Sequence, residues 1–316
     1  MILRGILRGT LRGSLLLSLL IGASQSAICL PAGPQDPPAA EDQEDGPKRL
    51  TEWPKIIKGT KVKVDIARLR KANTEEMGAG AHAKLVEAGP GVAPQLIEIL
   101  ASKTLANPKY DETAARFIAV LDELTDASHT RLIAPGMLSK SPRLQSWALQ
   151  RVALFPDPGT KETAEQALAK LRKAKLKDER FLSLPFHSAL ACAAAGSTAG
   201  LDVIYERVDK TWRDVSRQVR SALDGVRGDA ATEFALAKLA IDDRAKKVAA
   251  LRMLAGCGSN MALAKLREPL DSSDNSIRVS AINACRGIVD GALPLEKLSA
   301  FTAVEKAQSW LQKLGR

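Results

Sequence analysis

Aromatic residues make up only 4% of this chain of 316 residues, histidines number three, and cysteines four. With so few rings the interior has to be filled by Ala and Leu, which favours helices packed closely on small side chains. Alternating apolar and polar runs are nearly missing, because Val and Ile fall inside helical stripes, so a sheet-based fold is excluded and the class is all-α. The apolar run Leu15 to Ala23 is too short for an ordinary membrane span of about 20 residues. No phosphate-binding GxxxxGK(S/T) loop, no GxGxxG ahead of a helix, no GxSxG elbow, no CxxC and no HxxxH occurs. Nucleotide, hydrolase and zinc chemistry therefore lack their starting residues, and no catalytic, cofactor-binding or metal-ligating residue is assigned. His82, His129 and His187 read as structural. Cys192 and Cys285 stand too far apart along the array for a disulfide, and buried free thiols are expected, with Cys257, beside a turn, the one expected to be exposed.

The net charge is +10. Arg4, Arg8 and Arg12 lie in a first stretch of 26 residues without an acid, while residues 31 to 48 hold Asp36, Glu41, Asp42, Glu44 and Asp45 against Lys48 alone, which leaves about +11 from Arg49 onward. Such a surplus attracts acidic proteins, nucleic acid, anionic lipid or acidic glycans, and also keeps a protein soluble.

Residues 1 to 26 have the make-up of an export signal: arginines, a short apolar core, then small residues, with cleavage expected after Ser26. The expected location is the periplasm, the cell envelope or the medium, with an uncleaved membrane anchor as the alternative. Ile28 ahead of Cys29 argues against a lipid-modified cysteine. Residues 27 to 50 contain a proline-rich, acidic stretch without large apolar side chains, which predicts a disordered linker. Residues 51 to 73 are expected to cap the N-terminal end of a helical array that begins at residue 74, with Trp53 and Ile56 as cover and a helix carrying Val62, Ile66 and Leu69.

From residue 74 to 316 the pattern is of short helix pairs. In AHAKLVEAGPGVAPQLIEILA, Ala81, Leu85 and Ala88 share one helix face, and after Gly89-Pro90-Gly91 a second stripe runs through Val92, Leu96 and Ile99. Each helix is shorter than the roughly 12 to 15 residues at which isolated helices become marginal, so each must lean on neighbours. Turns of this kind fall near Gly89, Asp126, Asp157, Ser197, Asp229, Ser259 and Asp290, in steps of about 30 to 40 residues. First helices carry Leu144, Ala148, Val152 and Phe155, then Val215, Val219, Ala222 and Val226, then Ile277, Ala281, Ala284 and Ile288. Second helices carry Leu201, Ile204, Tyr205 and Val208, then Leu263, Leu266 and Leu270. Ser141, Asp229 and Ser259 are expected to cap helices with their side chains, and Pro269 to kink or end its helix.

The segments AHAKLVEAGPGVAPQLIEIL, SPRLQSWALQRVALFPD, SRQVRSALDGVRGD, KKVAALRMLAGCGS and SIRVSAINACRGIVDG resemble the HEAT repeat family, with Arg143, Arg220 and Arg278 at the place of its usual helix arginine. The resemblance implies a right-handed α-solenoid of about seven helix pairs whose second helices line a concave, partner-binding side. Lys170, Arg172, Lys173, Lys175 and Lys177 of KLRKAKLK are expected on such a second helix, with Arg207, Lys210, Lys265 and Arg267 on later ones. Stacking is expected to bring all nine onto one surface. The expected function is a non-catalytic scaffold or adaptor for a protein partner, without a cofactor. The alternatives are a basic clamp on a polyanion, nucleic acid or acidic glycan, and a lyase-type enzyme built on related repeats.

Overall fold

A chain poor in strand-forming runs satisfies its buried amides and carbonyls locally, in helices. The computed structural model describes residues 48 to 315, apart from Asn73 and Glu296. Among the described residues there are fourteen α-helices and no strand. In chain order they are α1 (Thr60–Lys71), α2 (Glu75–Glu87), α3 (Ala93–Ala101), α4 (Asp111–Leu124), α5 (Thr130–Ile133), α6 (Pro142–Leu154), α7 (Lys161–Lys173), α8 (Leu184–Ala194), α9 (Leu201–Asp224), α10 (Asp229–Leu239), α11 (Arg244–Cys257), α12 (Arg267–Asp271), α13 (Asn275–Val289) and α14 (Ala300–Leu314). None is long and apolar enough to cross a membrane. The export signal and most of the predicted linker lie outside the described residues.

The pairing rhythm is the one the turns predict. Chain reversals at or beside Gly89, Asp126, Asp157, Ser197, Asp229 and Ser259 separate α2 from α3, α4 from α5, α6 from α7, α8 from α9, α9 from α10, and α11 from α12. After Asp290 the chain instead makes an extended connection before α14. First helices touch in sequence, α6 on α8, α8 on α9, α9 on α11 and α11 on α13, an arrangement compatible with a helical repeat. The predicted stripes face one continuous core that runs from Val62 to Trp310. Ala88, Ile99, Phe155, Leu263, Ile277 and Ile288 are only half-buried at its margins.

Close approach between successive first helices depends on glycines at matching places, Gly225, Gly256 and Gly287. A methyl group at Gly225 would stand 2.5 Å from the Ala193 carbonyl oxygen, and one at Gly256 would stand 2.9 Å from Leu223 Cβ. One at Gly287 would run into the carbonyl of Ala255.

Several local expectations are corrected. Helix α9 joins the second element of one pair to the first element of the next without a loop, with a break at Thr211 (φ −141°, ψ 40°). There the Thr211 hydroxyl donates to the Arg207 carbonyl at 3.2 Å, a local bond that competes with the helix ladder. The second element of the sixth pair is a 3-10 run, Asn260–Leu266, continued by α12, so Pro269 falls in a first turn where its missing amide costs nothing, and the helix ends at Asp271. Ser141 and Ser259 do not cap. Their hydroxyls donate instead to the Leu100 carbonyl (2.7 Å) and to Asp229 Oδ1 (2.6 Å), tying one pair to the next. Asp229 is already inside α10, with Gly228 at the cap position. At the turns the capping is done by Asp126, Asp157 and Ser197, which accept the amides of Ser128 (2.8 Å), Gly159 (2.8 Å) and Ala199 (3.2 Å), and Thr74, Asp243, Asp274 and Ser299 cap α2, α11, α13 and α14.

The N-terminal cover also differs. Helix α1 packs on α2 and α4, but Ile56 is 44% exposed and covers little. Trp53 stacks instead on His129, with ring centroids 5.4 Å apart. Residues 49 to 57 form a strap across three turns. Arg49 donates to the carbonyls of Ala127 and Pro156 and pairs with Asp157, the Leu50 amide donates to Ser128 at 2.8 Å, and the Ile57 amide donates to Gly91 at 3.2 Å. Arg49 and Leu50, at the end of the predicted linker, are thus held against the turns at Ala127, Ser128 and Pro156.

Candidate binding surfaces

The predicted basic row does not lie wholly on second helices. Lys170, Arg172 and Lys173 stand on the last turn of α7, but that helix stops at Lys173, so Lys175 and Lys177 belong to the connection between α7 and α8. The alternation of Lys with Ala and Leu in KLRKAKLK gives no apolar face that would hold a further turn against the core. All five side chains are exposed. Arg172 is spoken for, since it pairs with Asp202 and donates to the Ala199 carbonyl at 2.9 Å. Arg207 lies over the Phe186 ring at 5.7 Å, and Lys210 pairs with Glu206 at 3.6 Å. Lys265 is in the 3-10 run and not in a helix, and Arg267 donates to the Leu314 carbonyl at 3.4 Å. Arg172, Arg207 and Arg267 thus join neighbouring elements and Lys210 pairs within its own helix, while Lys170, Lys173, Lys175, Lys177 and Lys265 form no ion pair among the described residues.

A second basic surface lies on the first-helix side, where the sequence pattern predicts none. Its floor is the outer face of α9 beyond Thr211, with α11 and α13 beside it. Trp212, Arg213, Ser216 and Arg220 come from α9, Arg252 and Ala255 from α11, and Val279, Ser280 and Asn283 from α13. Together with Pro294, Leu295 and Lys297 they line a groove of about 610 Å³. A second hollow of about 450 Å³ adjoins it through Arg220, Ala255 and Pro294, and adds Arg217 and Arg227.

The far wall is the connection after α13, and side chains of that helix hold it in place. Asn283 meets the Leu295 backbone twice, accepting its amide at 2.8 Å and donating to its carbonyl at 3.2 Å, as a neighbouring strand would. Arg286 donates to the Leu293 carbonyl at 3.2 Å.

The arginines in this groove are differently placed from those of the basic row. The ion pairs along this part of the chain are Lys210 with Glu206, Arg227 with Asp224, Arg244 with Asp274, and Lys247 with Asp242. None involves Arg213, Arg217, Arg220 or Arg252, which pair with no carboxylate among the described residues. Arg213 and Arg217 are exposed, and Arg220 and Arg252 are half-buried. The Arg252 guanidinium stands 5.0 Å from the centre of the Trp212 ring, and burial pulls its pKa below the ordinary value, with the charge of Asp209 acting in the opposite direction. An anion placed here would offset an unfavourable burial. The sequence did carry part of this signal. Arg213, Arg217 and Arg220 recur at i, i+4 and i+7 in TWRDVSRQVRSALD, on the face opposite Val215, Val219 and Ala222.

The remaining candidates of the sequence are inward-looking or occupied. His82 lies 2.8 Å from Glu123 across two helices, and His129 is buried with Nδ1 2.9 Å from Asp126. Burial, and secondarily Arg207, lower the pKa of His187. Cys192 and Cys285 are buried free thiols, and so is Cys257, which donates to the Met253 carbonyl and is not the exposed residue its turn suggested.

Set against protein-family models, curated proteins and solved structures, the chain matches none of them. Fold and surface together define an all-helical protein of stacked short elements with an arginine-lined groove on its first-helix side.

Proposed function

We propose that the chain is a HEAT-like right-handed α-solenoid that works outside the cytoplasm as a non-catalytic scaffold or adaptor, holding an acidic protein partner on its exposed helix faces. The observation that carries this reading is the groove between α9, α11 and α13 with its adjoining hollow, where Arg213, Arg217, Arg220 and Arg252 pair with no carboxylate among the described residues, Asp224 of the hollow being held by Arg227. Guanidinium groups left unpaired in a hollow favour an external anion and can take both its oxygens, whereas on the α7 side Arg172 is already paired with Asp202 and the other cations are exposed lysines, which bind as point charges. The stacking of first helices supports the repeat reading, and the arginine-bearing start with its short apolar core supports export.

A basic clamp on nucleic acid or an acidic glycan is the second reading, favoured by the surplus of positive charge from Arg49 onward. Affinity capture of the chain from Ala27 onward, from envelope extracts, separates the two. A retained protein that survives nuclease and glycosidase treatment supports the adaptor. Retention that disappears with either treatment and falls steeply with salt supports the clamp. N-terminal sequencing of the native protein tests export, and a retained Met1 in a soluble cytoplasmic pool would end that part of the reading.

A further inference from the structure

The groove has a shape and a lining that select among anions. Arg213 and Arg217 are one helical turn apart, about 6 Å along the axis of α9. Alternate side chains of an extended peptide are about 6.6 Å apart, so two carboxylates on one side of such a chain meet two successive arginines. The other groove residues are mixed, with Trp212, Ala255, Val279, Pro294 and Leu295 apolar and Ser216, Ser280, Asn283 and Lys297 polar. A phosphate backbone has no use for the apolar part of that lining, while the other face of an extended peptide does. The pinned connection also shows that extended chain fits against this side of α13, because Asn283 already holds the Leu295 backbone there through both of its amide atoms.

We infer that the groove takes an extended segment of the partner in which acidic side chains alternate with apolar ones. The acids meet Arg213, Arg217, Arg220 and Arg252, and the apolar residues pack on Trp212, Val279 and Leu295. This inference rests on the adaptor reading, in that it names the feature of the partner the groove recognises. Arginine suits the task better than lysine because its fork takes both oxygens of a carboxylate.

The test is calorimetric titration of the chain from Ala27 onward with three probes: a peptide of alternating Glu and Leu, the same peptide with Gln for Glu, and a single-stranded deoxythymidine oligonucleotide. Binding of the Glu peptide, weakened about tenfold by Gln and about tenfold by the double substitution Arg220→Ala with Arg252→Ala, is expected, since the lost contacts are charge-assisted hydrogen bonds. Arg252→Lys should lie between the parent and the double variant. Lys61→Glu, at an exposed position of α1, controls for non-specific attraction and should bind nearly as the parent does, and a thermal melt of each variant checks the fold. Equal binding of the Glu and Gln peptides, unchanged binding by a folded double variant, or tighter binding of the oligonucleotide in the same groove would overturn the inference. The two readings fail separately. A captured partner that survives the double substitution removes the groove and leaves the adaptor. A peptide bound by the groove, with no protein captured, removes the adaptor.

Discussion

A thiol reacts as its thiolate, and burial withholds the thiolate. Desolvation pushes Cys192, Cys257 and Cys285 up to about 12, far above the working range of thiol reagents. At pH 8 these three should therefore stay unmodified by a maleimide while the chain is folded, and all should label in denaturant, with peptide mapping as the readout. Labelling of Cys257 in the folded protein would show that its turn opens. Asp126 gives a pH prediction of the opposite kind. Its pKa is lowered to about 2, first by the Ser128 hydroxyl and then by His129, so its share of stability is present above the ordinary carboxylate value and lost as pH falls from about 4 through about 2. Because that side chain is 71% exposed, solvent screening keeps the contribution below about 1 kcal/mol. Asp126→Asn should lower the neutral plateau of the melting profile by less than about 1 kcal/mol and flatten the acid limb, so that the two profiles meet below about pH 2. At this scale the sequence marked Asp126 and Ser197 as turns without showing that they cap, and placed the caps at Ser141, Asp229 and Ser259, where no side chain caps. It was not readable where a hydroxyl reaches across pairs, as Ser141 does to Leu100.

An element survives when its buried stripe is intact and its close contacts are small enough. Leu96 in α3 is fully buried, so Leu96→Asp should cost several kcal/mol, about 3 or more, by leaving a carboxylate without water or partner. Two glycine substitutions should move stability in opposite directions. Gly287→Ala drives a methyl group into the α11 backbone at Ala255, an overpacking worth about 1 to 3 kcal/mol of destabilisation. Gly80→Ala meets nothing within 4 Å on the exposed side of α2 and should stabilise by about 1 kcal/mol through helix propensity. Melting all three variants checks the assignment, and equal shifts for the two glycine variants would refute the close approach of α11 and α13. First helices were legible because Leu, Val and Ala recur on one face over three or four turns. Second elements were less so: residues 260 to 266 carry the right apolar positions yet wind as a 3-10 run, and the helix expected through Lys177 ends at Lys173 for lack of an apolar face.

Across the whole molecule, contacts distant in sequence decide which parts move together, and these are what a one-dimensional reading misses. The strap from Arg49 to Ile57 lies far along the chain from the turns it crosses. Arg49 alone spans to Ala127, Pro156 and Asp157, and Asp157 is itself a buried carboxylate that also accepts Arg131 at 2.9 Å. No local pattern announces such a contact, and the arginine groove escaped for the same reason, since Arg252 and Leu295 join Arg220 only through packing. Where short helices lean on their neighbours, an element that bridges three turns should couple the opening of pairs that would otherwise fray one by one. Arg49→Ala removes two hydrogen bonds and a half-buried ion pair, and should lower stability by about 1 to 2 kcal/mol, with Arg131 left to hold Asp157. The loss should be local. Amide exchange is expected to quicken at residues 127 to 130 and 157 to 160, and to stay as it was around Ser259, which the strap does not reach. Exchange that quickens equally at both ends would mean that the chain unfolds as one unit, and exchange unchanged at the Asp157 turn would mean that the strap rests on the surface without holding it.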